Sequence, residues 1–281
     1  MVPLMIETAH LREHFSVSRG VRRVYGYKPE GMEEYEHGAI VPLGDWTSPP
    51  SVFAEKFVCN SVAEHKPFFS LVNVSALVRP LWDLNLLRPG GLESKQAEAA
   101  THIWYSDFFR DTIRDIWPNC DEPKINGYKT DRANQETVTI NYRTNKTLGL
   151  HIDTWENVPM ASRRSALLRF SINVGFSDRF FIFSTTPVDS FMDDSSEEYV
   201  YSGKKRYSYT EQLRDKAPDA NLDLVRVRIP PGFGYIAATD LVVHDGSSMG
   251  IIEPSAHFTV RGAFHVGAEN NVSRISELLR S

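Results

Sequence analysis

The most constraining feature of the chain is the stretch Leu167-Leu-Arg-Phe-Ser-Ile-Asn-Val174. Leu168, Phe170, Ile172 and Val174 alternate with Arg169, Ser171 and Asn173. In a β-strand successive side chains point to opposite faces, so this run makes a two-faced strand and nothing else of comparable quality. It is not isolated. Thr137–Tyr142, Arg179–Ser184, Leu224–Ile229, Tyr235–Ala238, Leu241–His244 and Phe258–Val266 have similar β-branched and aromatic content between Gly, Pro and Asp turns. With the run that ends at Leu148–Ile152, this is about eight strands after residue 136, enough for two facing sheets in a jelly-roll arrangement.

Residues 1–135 are a mixed α/β segment. Phe68–Val78 is expected to be a buried strand, and Arg79-Pro80 to start a loop. A long helix is expected near 93–116, where Ala97, Ala100, Ile103, Trp104, Phe108 and Ile113 recur near helical spacing and Pro118 ends the pattern. The expected organisation is therefore a single domain of 281 residues: support over 1–135, and a β core over 136–268 interrupted by an insertion at 187–222. That insertion carries acidic and basic clusters interleaved with Tyr199, Tyr201, Tyr207 and Tyr209. It is either a solvated excursion or a lid.

Composition excludes several function classes. A net charge of −5 gives no basic footprint for nucleic acid. Two cysteines, Cys59 and Cys120, are too few for a disulfide framework or a thiolate metal site. No apolar run approaches the roughly 18 residues of a membrane span, and the first ten residues lack a signal-peptide pattern, so a cytoplasmic protein is expected.

The chemistry concentrates in Leu148-Gly-Leu-His-Ile-Asp-Thr-Trp155. On a strand, His151 and Asp153 share a face, so an imidazole and a carboxylate converge on one point, as in two thirds of a non-haem iron site. The third ligand should be a distant histidine. His244 ends an apolar run after the Pro231-Gly-Phe-Gly234 turn and precedes Asp245-Gly246. His257 and His265 compete for the role but sit within the next strand-like run, which also holds Arg261, seventeen positions beyond His244.

This pattern, HxD followed by a distant histidine and an arginine, resembles that of the Fe(II)/2-oxoglutarate-dependent dioxygenases over roughly residues 137 to 266. The resemblance implies a double-stranded β-helix with flanking helices, Fe(II) held by His151, Asp153 and His244, and 2-oxoglutarate and O₂ as co-substrates. It implies Arg261 as the anchor of the distal carboxylate of 2-oxoglutarate, a bidentate pairing. Where many relatives place a hydroxyl residue two positions after this arginine, the chain has Ala263, so Thr259 is the candidate hydroxyl. Asn173 is a further candidate co-substrate contact. Trp155, Arg169, Arg143 and Tyr142 are candidates for the substrate, with Arg163 and Arg164 adding positive charge nearby. The expected reaction is hydroxylation of an unactivated C–H bond in a small molecule, such as an amino acid or a peptide-like metabolite. A protein or peptide hydroxylase with the same iron site and a cupin-like metal binder are the alternatives. A carboxylate at 153 argues against halogenation, and no GxSxG elbow or HExxH helix supports a hydrolase.

Overall fold

The computed structural model describes residues 4–5, 15–49, 69–83, 99, 123–194, 197–201 and 204–264. In chain order the N-terminal strands are β1 (Leu4–Met5), β2 (Phe15–Arg19), β3 (Val21–Val24), β4 (Tyr35–Pro42) and β5 (Phe69–Asn73), followed by helix α1 (Ser75–Asp83). Then come β6 (Lys124–Asp131), β7 (Ile140–Asn141), β8 (Lys146–Gly149), β9 (Leu168–Asn173) and β10 (Arg179–Pro187). The insertion folds as a hairpin of β11 (Glu197–Tyr201) and β12 (Lys204–Ser208) followed by helix α2 (Thr210–Lys216). The chain continues through β13 (Asp223–Ile229), β14 (Phe233–Ala237), β15 (Val242–Ser247) and β16 (Ser255–Gly262).

The protein is mainly β. One sheet has the order β1-β5-β14-β9-β16-β6 and is antiparallel except at β1–β5; a second, wholly antiparallel sheet has the order β15-β10-β13-β2. The two share one apolar cluster, in which Phe69 and Tyr235 of the first stack against Phe181 and Phe183 of the second. A smaller sheet, β3-β4-β8-β7, delivers the chain to His151.

The alternation in β9 is realised, with an unusual outcome. Leu168, Phe170 and Ile172 face away from the second sheet and pack with Phe258 and Val260 under Val78 and Leu81 of α1. Ser171 and Asn173, on the opposite face, are 1% and 0% exposed. The polar row therefore lies inside, between the sheets, and the sandwich has apolar layers on both sides of a partly polar interior.

Several expectations are corrected. Residues 75–83 form a helix rather than continuing a strand into a loop, because Asn73 Oδ1 accepts hydrogen bonds from Ser75 N–H at 3.0 Å and Ser75 Oγ at 2.8 Å, which closes a capping turn. The strand expected over 137–142 is only Ile140–Asn141. Upstream, Thr139 turns its N–H to the Asp245 carboxylate at 3.3 Å instead of a neighbouring strand. His244 lies inside β15 rather than at its end, and the strand runs on through Asp245 and Gly246 to Ser247. The helix expected near 93–116 falls outside the described residues except for Ala99, and His265 is also outside them. Among the described residues, no helix is long and apolar enough to cross a membrane.

Candidate metal centre

Two adjacent chain segments build the site. His151 and His244 form an antiparallel bridge: His151 N–H donates to His244 O at 3.0 Å, and His244 N–H to His151 O at 2.8 Å. Two residues on, Asp153 N–H donates to Thr239 O at 3.1 Å. This backbone pairing joins residues 93 positions apart in sequence, 151 and 244, and brings the imidazole rings to a centroid distance of 4.7 Å. Asp153 follows on the same face. Its carboxylate lies 3.9 Å from His151 Nε2 and 3.6 Å from His244 Nε2, and one ligand atom from each of the three residues lies within 4.8 Å of the others.

The ring orientations fit a cation. Each Nδ1 lies 3.0 Å from the carbonyl oxygen two residues upstream, Gly149 O for His151 and Val242 O for His244. A carbonyl only accepts, so each Nδ1 carries the hydrogen and each Nε2 presents its lone pair to the shared point. His244 Nε2 is buried and has no hydrogen-bond partner. A buried, unsatisfied acceptor is costly unless something occupies the position it addresses. Burial lowers the pKa of His244 to about 3, opposed by Asp153, so the ring is neutral at physiological pH, the form that ligates metal. Burial disfavours charge on Asp153, yet the adjacent Arg169 guanidinium outweighs it and holds the carboxyl well below its usual range. The donor set of two neutral imidazoles and one carboxylate suits Fe(II) and other divalent first-row metals.

Gly149 makes this arrangement possible. Its φ of +80° is left-handed, and a Cβ there would sit 2.5 Å from Ile40 O. Leu150 N–H then donates to that same carbonyl at 2.7 Å, seating the His151 segment on β4.

The centre opens on a cavity of about 1010 Å³ lined by His151 and Asp153. Arg143, Tyr142 and Trp155 line it too, with Tyr142 and Trp155 exposed at 82% and 46%. Ser208 to Thr210 and the α2 residues Leu213 and Arg214 line it as well, so the insertion contributes a wall. Arg169 lines it beside the centre, its Nη2 2.7 Å from Asp153 Oδ2. Thr259 lines it, donating its hydroxyl to Ser171 Oγ at 3.1 Å.

The remaining sequence candidates lie elsewhere. The Asn173 amide is fully engaged with backbone, donating to Ser177 O and Ile229 O and accepting from Gly175 N–H. The Arg261 side chain is buried, pairs with Glu156 and Asn126, and lies over the Trp155 ring at 5.0 Å; it is not among the residues that line the cavity. Arg164 pairs with Asp189 at the surface, and Arg163 is buried behind Asp153. His257 stands apart from the metal cluster, 3.3 Å from Asp131.

Sequence reasoning missed Arg179. It opens β10 on the same face as Phe181 and Phe183, which put it inside, and period-2 alternation was the available signal. Its Nη2 lies 3.1 Å from Asp131, and with Tyr235, His257 and Thr259 it lines the inner end of the cavity. Burial disfavours the Asp131 charge, but His257 and Arg179 bring its pKa down to about 2.

Comparisons with family models, with curated proteins and with solved structures give no match. Fold and site together define a mainly β protein with a candidate His-Asp-His metal centre beside a large, open cavity.

Proposed function

We propose that this protein is an Fe(II)/2-oxoglutarate-dependent oxygenase that hydroxylates a small molecule. The observation that carries the reading is the convergence of His151, Asp153 and His244, each with its metal-facing atom free of competing backbone bonds and two of them lining a cavity. The strand order supports it. β14-β9-β16-β6 on one side, and β13-β10-β15 extended by the bridge to His151 on the other, is compatible with the two four-stranded sheets that an eight-stranded jelly roll requires.

Iron with 2-oxoglutarate and O₂ supplies the oxidation of an unactivated C–H bond; the chain supplies ligation, orientation and exclusion of water. Asp153 is kept ionised by Arg169. For the co-substrate carboxylate, the cavity favours Arg179, which lines it, over Arg261, which does not; both guanidiniums already have a carboxylate partner, Asp131 and Glu156 respectively. Gly246 is two residues along β15 from His244 on the same face, about 7 Å at strand rise. A Cβ on Gly246 would meet Arg179 Nη2 at 3.1 Å, so the guanidinium lies against this strand on the same face as His244. The Ser171, Thr259 and Tyr235 hydroxyls gather beside this guanidinium. The outer part of the cavity, with Arg143, Tyr142 and Trp155, is left for a carboxylated substrate.

The test is turnover of 2-oxoglutarate by the purified protein. Succinate should form only when Fe(II) and O₂ are both present, and should cease in His244→Ala. Protein that binds metal at these residues and forms no succinate is a binder, and the oxygenase reading fails.

A further inference from the structure

Arg163 has no role in the reading above, yet at 2% exposure it is among the largest fully buried side chains of the described residues. It projects from the 3₁₀ turn Met160–Ser165. Its Nη1 donates to two backbone carbonyls, Asp153 O at 2.8 Å and Asp240 O at 2.6 Å. The first belongs to a residue of the His-Asp-His cluster. The second belongs to the turn that leads into β15 and His244. One nitrogen thus ties together the two segments that must meet for the three side chains to converge.

The anchorage of Arg163 is itself fixed. Its guanidinium lies over the Tyr209 ring at 4.6 Å, and the Tyr209 hydroxyl accepts a hydrogen bond from Met160 N–H at 2.9 Å. Tyr209 is 1% exposed and belongs to the cluster that includes Leu150, Ile152 and Leu241. The arginine packs on this buried ring and reaches from it to both segments. Its Nε and Nη2 make no hydrogen bond. A buried guanidinium with unsatisfied nitrogens is a poor way to gain stability, since an apolar side chain of similar volume fills such a space at lower desolvation cost. What the arginine provides and an apolar residue does not is a fixed separation between two carbonyls. Backbone pairing alone holds these segments at His151–His244 and at Asp153–Thr239, and beyond Thr239 the chain turns away.

We infer that Arg163 is a positioning residue that sets the placement of Asp153 relative to His244, by clamping the carbonyls of Asp153 and Asp240 to one guanidinium. The inference rests on the metal reading of the cluster, and the experiment separates the two. Co(II) affinity of the full-length protein is measured by titration for wild type, Arg163→Met, Arg163→Lys and Arg163→Ala, alongside thermal unfolding in chelator. Groups that orient metal ligands typically contribute about 10–100-fold in affinity, and a loss in that range is expected for Arg163→Met. Arg163→Lys should recover part of it, because an ammonium can still bridge two carbonyls. Millimolar guanidinium ion should restore affinity to Arg163→Ala and leave wild type unchanged.

If wild type itself fails to bind Co(II), the metal reading falls and takes this inference with it. If wild type binds and Arg163→Met binds equally well while unfolding at a lower temperature, Arg163 is structural only and the inference alone is overturned. Should the Arg163 variants not fold, Tyr209→Leu removes the ring beneath the guanidinium; a severalfold loss of Co(II) affinity supports the clamp, and an unchanged affinity overturns it.

Discussion

Asp240 offers a sharp test of how charge is arranged around the centre. It is 1% exposed, and neither carboxylate oxygen has a hydrogen-bond partner. Burial, reinforced by the nearby Asp153 charge, raises its pKa from 3.8 to about 7 against the pull of Arg163, Arg261 and Arg169. In Asp240→Asn the buried group is neutral at every pH and nearly isosteric. A carboxyl raised in the folded state keeps its proton between pH 3.8 and about 7 while the unfolded chain releases it, so stability falls as pH rises through that window. At about 1.4 kcal/mol per pH unit, the window corresponds to about 4 kcal/mol. The assay is urea unfolding of chelated wild type and variant at intervals from pH 4 to pH 8. The two should be about equally stable near pH 4, and the variant should gain steadily up to pH 7 and stay ahead by a few kcal/mol beyond it. A divalent metal should narrow the gap, because a cation near Asp153 stabilises the Asp240 carboxylate. A difference that does not vary with pH, or a variant less stable at pH 8, would refute this placement of Asp240.

Three other outcomes follow from the geometry. Gly149→Ala should cost about 1–3 kcal/mol from the left-handed backbone alone, and more from the contact with Ile40 O, so both its denaturation midpoint and its Co(II) affinity should drop. If Arg179 anchors the co-substrate, Arg179→Met should raise the KM for 2-oxoglutarate well beyond any change in Arg261→Met; the reverse order, read in succinate assays, would return the role to Arg261. Saturating Co(II) at about 100 times its Kd should add about 2.7 kcal/mol of stability to wild type and none to His151→Ala, as measured by chemical denaturation.

Much of the candidate centre was legible because it rests on local geometry. HxD on an extended segment fixes the relation of His151 to Asp153 by strand periodicity, and the choice of His244 needed only a strand-forming context. Alternation marked β9 directly, and the aromatic run Arg179–Ser184 after its turn marked β10. Which face of β9 points inward was not legible, since a polar row between two sheets looks the same in sequence as a solvated one; only the packing of α1 on Phe170 and Ile172 decides it. Arg261 illustrates a different limit. Its position suited a buried cation awaiting an anion, and it has one, but Glu156 of the same chain supplies it. Arg163 stood among several arginines near the HxD segment, and nothing in the residues marked it as the one buried. Contacts between segments about 80 residues apart, such as Arg163 with Asp240, carry no periodic signature.

The most direct measurement is anomalous diffraction from crystals of the protein soaked with Mn(II) and 2-oxoglutarate without oxygen. One peak should lie between His151 Nε2, His244 Nε2 and the Asp153 carboxylate, at coordination distances of about 2.0–2.2 Å, with the diacid extending from it toward Arg179. A peak elsewhere, such as at Asp131 and His257, or no peak at saturating metal, would contradict the account.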